Sequence, residues 1–177
     1  MKATGVIRRI DDLGRIVIPK EIRKNLRIKN GENLEVFVDE NENIILRKYN
    51  QIDKLKDLSE ELSFSINSIT KKTVLITNTE EVISSSGFDK KEYQNKQLSE
   101  KIVNLISERK ITFSPQLNQI NIIGDKRENL SYIIVPIIAN GDLIGSIIML
   151  SKDTPLTKTD ELILKIVASF LSTHIEG

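Results

Sequence analysis

The side chains able to do chemistry in this 177-residue chain are few in kind and uneven in position. There is one histidine, His174, and no cysteine. That leaves no thiolate nucleophile, no disulfide framework and no Cys/His zinc set. His174 shares a helical stripe with Ile163, Val167 and Phe170, which reads as a packed or interface histidine rather than a general base. The acidic pairs Asp11-Asp12 and Glu60-Glu61 are sequence neighbours that diverge in a turn or a helix, so neither makes a carboxylate pair for acid–base work. No phosphate-cradling glycine loop and no G-x-S-x-G elbow occurs. No catalytic residue, metal ligand or cofactor is expected, and the chain is not expected to be an enzyme.

Cations are what the chain has in surplus. From Met1 to Lys29 there are nine Lys/Arg against three Asp/Glu; from Asn30 to Asp53 there are two against six; the remainder is balanced at fifteen against sixteen. The net charge of +1 therefore conceals a local positive field at one end. Folding makes no evident use of Arg8, Arg9, Arg15, Arg23 and Lys24. One copy offers five such cations and a two-fold dimer offers ten, enough for the phosphate attraction that dominates DNA affinity.

The elements that must position these cations are short. Residues 4–10 and 15–18 are rich in β-branched side chains and flank Asp11-Asp12-Leu13-Gly14, which has turn composition, so a strand, turn and strand are expected. Pro19 holds Ile18 extended and suits the first position of a helix expected over 20–27, with Ile22 and Leu26 as its apolar stripe. After Lys29-Asn30-Gly31, the alternation of Leu34, Val36 and Val38 predicts a strand whose hairpin partner is 44–48. A unit of about fifty residues without metal or disulfide seldom buries enough to fold alone. The run Ile16-Val17-Ile18 moreover asks for cover on both faces. An intertwined two-fold dimer is expected.

From Gln51 the pattern changes. Ile52, Leu55, Leu58, Leu62, Ile66 and Ile69 predict an amphipathic helix to Thr70, either an inter-chain bundle or packed on its own domain. Strands follow over 73–77 and 81–85, a helix over 97–109, a long polar connection over 112–129, and strands over 132–139 and 143–150 joined by Asn140-Gly141-Asp142. Thr157-Lys-Thr-Asp160 is a capping-box pattern opening a helix to His174. The longest apolar run, 132–139, is too short to span a membrane, and the start meets acid before any secretory hydrophobic region. A cytoplasmic protein without membrane contact is expected.

The run MKATGVIRRIDDLGRIVIPKEIRKNLRIKNGENLEVFVDENENIILRKY closely resembles the N-terminal module of the AbrB family of bacterial transition-state regulators. That resemblance implies a mainly-β swapped-hairpin dimer that binds double-stranded DNA, with DNA-contacting arginines at Arg8, Arg15 and Arg23. Lys24 stands where the family often has arginine, and keeps phosphate attraction without the planar fork. Arg9 stands at another basic position, and the 11–14 loop and Pro19 take structural roles. The later run YIIVPIIANGDLIGSIIML resembles a GAF hairpin, which implies a C-terminal α+β domain with a largely antiparallel sheet and a small-molecule pocket between sheet and helices. The 112–129 connection is either the lid of that pocket or a plain surface loop that closes an empty or shrunken one.

The expected organisation is thus a swapped-hairpin DNA-binding domain over 1–52 and a GAF-like domain over 53–177 that includes a linker helix at 53–70. By the resemblance, the protein is a nucleoid-associated regulator of sporulation genes, both activator and repressor. Its partners are DNA, itself as a homodimer and through the linker helix a homotetramer, and an unidentified small-molecule ligand in the GAF-like domain. The competing reading is an antitoxin-like interaction protein, since swapped-hairpin modules also carry toxin-covering tails.

Overall fold

The computed structural model describes residues 6–25, 28, 34–48 and 51–176. The chain divides into two compact units, Met1–Tyr49 and Asn50–Gly177.

In the first unit, one short helix and one hairpin are the regular elements among the described residues: α1 (Lys20–Asn25), β1 (Leu34–Val38) and β2 (Ile44–Lys48). The hairpin is antiparallel, with Val36 opposite Leu46. α1 starts where Pro19 places it, and the Arg23 N–H donates to the Pro19 carbonyl at 3.0 Å. The expected strands at 6–10 and 15–18 flank a turn but join no sheet within the chain. A strand needs a ladder partner, and among the described residues of one copy none pairs with these arms. Thr4, Gly5, Leu26, Arg27 and the 29–31 turn lie outside the described residues.

The second unit is an antiparallel five-stranded sheet sandwiched between helices. Its strands are β3 (Thr73–Thr77), β4 (Val82–Ser86), β5 (Thr112–Asn121), β6 (Arg127–Ala139) and β7 (Asp142–Ser151), in the order β4-β3-β7-β6-β5. Its helices are α2 (Gln51–Thr70), α3 (Lys90–Tyr93), α4 (Glu100–Ser107) and α5 (Lys158–Glu176). The period of two along each strand sorts side chains to two cores. Val74, Ile133, Val135, Ile147 and Met149 pack with Leu55 and Ile66 of α2 and Leu164 and Leu171 of α5. Leu75, Ile134, Ile148 and Leu150 pack with Tyr93 of α3 and Ile102 and Ile106 of α4. Burial on both faces is why these strands read as continuous apolar runs without alternation.

Asn140 and Gly141 both have positive φ, 51° and 81°, which is the hairpin turn their sequence announces. The capping box forms as well: the Thr157 N–H donates to Asp160 Oδ2 at 2.7 Å, and the Asp160 N–H donates to Thr157 Oγ1 at 3.2 Å. Two expectations require correction. Residues 112–129 are not a polar connection or a lid; β5 and the start of β6 pair as a hairpin at the sheet edge. Edge position explains the misleading composition, since 115–119 are exposed and need no apolar pattern. The helix expected over 97–109 is shorter, because Gln97 and Leu98 form β-bridges and Ser99 caps α4 by accepting from the Ile102 N–H.

Candidate nucleic-acid interface and ligand cavity

Among its described residues, the first unit leaves many of its apolar side chains exposed. Ile7 is 94% exposed, Leu13 74%, Val17 73% and Val38 70%, and Pro19 is the one buried residue among those described in this unit. Folding of one copy thus removes little apolar surface from water, and the driving force for burial is unspent.

Against that open background the 11–15 turn is tightly built. The Asp11 N–H donates to the Arg15 carbonyl at 3.0 Å and the Gly14 N–H to the Asp11 carbonyl at 2.9 Å. Asp11 Oδ1 accepts from the N–H groups of Leu13 and Arg15, and Asp11 Oδ2 accepts from Arg15 Nε at 2.8 Å. The Arg15 backbone N–H first, and its guanidinium second, hold the Asp11 carboxyl below the usual carboxylate range. Gly14 supplies the left-handed φ of +75° at which any Cβ would be strained, although the space around it is open. The same plan recurs at the β1–β2 turn, where Asp39 Oδ1 accepts from Asn41 and Asn43, its Oδ2 accepts from Asn43 Nδ2 at 2.9 Å, and Glu42 takes φ of 60°. In the first turn the residue held by the carboxylate is a cation, and in the second it is an amide. Arg15 is thereby gripped at Nε while its side chain stays 70% exposed, and its guanidinium carries four further N–H donors on the two Nη groups.

Of the other expected site residues, Arg8, Arg9 and Lys24 are exposed, and Arg23 on α1 is half-buried. His174 is exposed at the end of α5, stacked on Phe170 with ring centroids 6.1 Å apart. α2 packs on its own sheet through Leu55, Ser59, Ser63 and Ile66, whereas Ile69, placed on the same stripe by sequence, is 79% exposed.

The second unit contains a cavity of about 460 Å³ where β3 begins and β7 ends. Its floor is Tyr93, Leu130 and Leu150. Thr70 to Thr73, Asp89, Ser151 to Thr154 and the exposed Phe88 complete its lining. The Tyr93 hydroxyl donates to the Glu128 carboxylate at 2.9 Å, and burial followed by that carboxylate pushes the phenol well above its usual range. Lys126 joins Glu92 and Glu128, and Lys152 joins Asp89. The oxygens of Asp89, Glu92 and Glu128 lie within 4.8 Å of one another, so two ammonium groups and a phenol already serve this acidic trio. Lys72 Nζ meets Asp160 Oδ2 at 2.5 Å with side chains 16% and 7% exposed. Burial alone would raise the Asp160 carboxyl, but Lys72 and Thr157 outweigh it and hold it low. This pair spans 88 residues of sequence, which is why pattern reading missed it.

The family model described as "Stage V sporulation protein T C-terminal, transcription factor" matches residues 54–176. A second model, "Antidote-toxin recognition MazE, bacterial antitoxin", matches residues 7–54. Stage V sporulation protein T of Bacillus subtilis (strain 168) is 39% identical over 177 residues, covering 99% of both chains. The transition state regulatory protein AbrB of the same organism is 53% identical over 49 residues, which are 28% of this chain and 50% of that one. Among solved structures, the GAF domain of an Acinetobacter phosphoenolpyruvate-protein phosphotransferase superposes with a TM-score of 0.57 at 15% identity, over 68% of this chain and 81% of that one, a likeness of fold. Among the described residues no helix is long and apolar enough to cross a membrane. An AbrB-like unit that displays cations, joined to a GAF-like unit, matches such a relative from end to end: the chain belongs to the stage V sporulation protein T family of transcription factors.

Proposed function

We propose that two copies bury the apolar side chains of their first units against each other and present Arg8, Arg9, Arg15, Arg23 and Lys24 of each copy to double-stranded DNA. The observation that carries this reading is the set of ten large apolar residues left exposed among the described residues of the first unit. A second copy covers them and doubles the cations in the same step. The DNA-binding domain is assigned to residues 1–52 and the GAF-like domain, with α2 as its linker helix, to 53–177. Acting on the nucleoid in the cytoplasm, the protein activates some sporulation genes and represses others. The comparisons support this through the relative that matches nearly the whole chain.

The outer faces of the second unit favour further assembly. On α5, Leu162, Ile166 and Phe170 recur at four-residue steps with at least half of each side chain exposed, and on α2 Phe64 is 66% exposed. These faces join two dimers into a tetramer. The antitoxin reading has the 7–54 match in its favour, but the rest of the chain folds into a domain with two filled cores rather than a toxin-covering tail. The cavity beside Tyr93 is the place for a small-molecule ligand.

The test is a gel-shift titration at fixed salt with Arg15→Ala. Specific binding is lost while sedimentation still finds a dimer; unchanged affinity overturns the assignment. For the parent protein, log affinity falls with log salt by about 0.9 for each phosphate neutralised.

A further inference from the structure

We propose that the cavity at the β3–β7 end of the sheet takes an uncharged, ring-bearing molecule, and that Phe88 is the side chain that closes on it. The inference rests on reading that cavity as a ligand site and names what the site selects. At about 460 Å³ it has the size of a small-molecule site. Tyr93, Leu130 and Leu150 line it, each no more than 2% exposed, and all three belong to the core that the sheet forms with α3 and α4. The Tyr93 hydroxyl is spent on Glu128, so what that side chain has left to offer is its ring.

Phe88 is the anomaly. It lines the same cavity, yet it is 78% exposed. A loose loop leaves a ring in solvent by accident, but this backbone is pinned on both sides of the residue. Gly87 has φ of +117°, and a Cβ there would stand 2.8 Å from the Thr73 Cα, so the loop lies directly on the first residue of β3. Asp89 takes a left-handed φ of 59°, uncommon for a residue with a side chain, and its carboxylate pairs with Lys152. Thr73 Oγ1 donates to the Phe88 carbonyl at 3.3 Å. The backbone of Phe88 is thus built into the fold while its ring is left without cover, among apolar lining residues that a ligand would touch as well.

Charge decides the rest. The Lys72 ammonium lies on Asp160, which is not part of the lining, and Lys152 and Asp89 neutralise each other. Lys71 and Asp153, the remaining charged residues of the lining, are of opposite sign and exposed to solvent. Among the described residues, no buried charge in the lining is left unpaired, and a charged group brought down onto Tyr93, Leu130 and Leu150 would lose its hydration without gaining a partner. The other polar lining residues, Thr70, Thr73, Ser151 and Thr154, carry hydroxyls, which suit an uncharged polar group.

The experiment is calorimetric titration of the full chain with phenylacetamide and with two charged probes that carry the same ring, phenylacetate and phenethylamine. NMR contacts from the ring to the Leu130 and Leu150 methyl groups locate any binding. The amide is expected to bind with those contacts, and both charged probes roughly tenfold more weakly. Phe88→Ala removes an exposed side chain and so spares the fold; it is expected to weaken the amide roughly three- to tenfold, and Phe88→Tyr, which keeps a ring there, to restore it. A charged probe binding as tightly as the amide overturns the uncharged ligand while leaving the cavity as a ligand site. Unchanged affinity in Phe88→Ala, with the methyl contacts intact, overturns the closing role of Phe88. Absence of ring contacts with every probe overturns the cavity reading itself.

Discussion

The two units of this chain spend their apolar residues in opposite ways. In the second, Val74, Ile76, Ile133 and Ile147 are wholly buried between sheet and helices, so one copy contains everything its cores need. In the first, Ile7, Val17, Val38 and Ile44 are each more than two-thirds exposed, and regular structure among the described residues amounts to a six-residue helix and one hairpin. About fifty residues seldom bury enough to hold a core alone, whereas about 130 do. The lesson is a division of labour: the second unit completes its cores within one copy, and the first, on the function proposed above, meets DNA only when paired.

The sharpest way to break the contrast is Val17→Asp. A charge placed where the partner should cover the chain should abolish dimerisation of the first unit and with it DNA binding, by about a hundredfold or more, as burial of an unpaired carboxylate demands. Sedimentation equilibrium and gel shift read it, and a dimeric, DNA-binding variant would refute the contrast. Leu164→Ala, at a fully buried position under the second unit, should cost about 2–5 kcal/mol of that unit's stability and leave the dimer's DNA affinity unchanged. Denaturant melts followed by signals from each unit separate the two effects.

Acid gives a third, smaller effect. The Asp160 carboxyl is held below its ordinary value, 3.8, in the folded protein. Its contribution is therefore complete above about pH 4 and is lost as pH falls through the lower, folded value. Asp160→Asn should lower stability near neutrality and flatten the acid limb of the second unit's melt; an unaltered acid limb would contradict the Lys72 pairing. The smallest effect is expected from Asp11→Asn, which keeps the carbonyl acceptor of the turn but weakens the grip on Arg15 Nε. The ratio of specific to non-specific DNA affinity should drop by roughly two- to fivefold, read by competition with unrelated duplex, while total charge attraction rises slightly.

Much of this was legible in the sequence where local chemistry decides. Asn140-Gly141 predicts its hairpin and Thr157 with Asp160 its cap, because neighbouring residues make those structures. The cations were visible for the opposite reason: Arg8, Arg9, Arg15 and Lys24 are exposed, with no place in a core. What escaped depends on distant partners. β5 hid because an edge strand with a solvated stretch carries no apolar rhythm, and Lys72 with Asp160 hid because only the fold brings them together. Ile69 fits the α2 stripe in sequence yet lies beyond the helix's contact with the sheet, near its end at Thr70. The role of Asp11 was half legible: aspartate before glycine marks a turn, but its bond to Arg15 Nε is a matter of geometry.

The uncovered side chains of the 6–18 segment also bear on abundance. If the first unit completes its fold only on meeting another copy, as proposed above, then while chains are scarce that unit is an open segment offered to proteases and chaperones. The pool of finished regulator then grows with the square of the chain concentration while chains are few. A modest rise in synthesis becomes a sharper rise in promoter occupancy, and a modest fall clears the promoter quickly, so the timing of a developmental switch can be written into the packing of a fifty-residue unit.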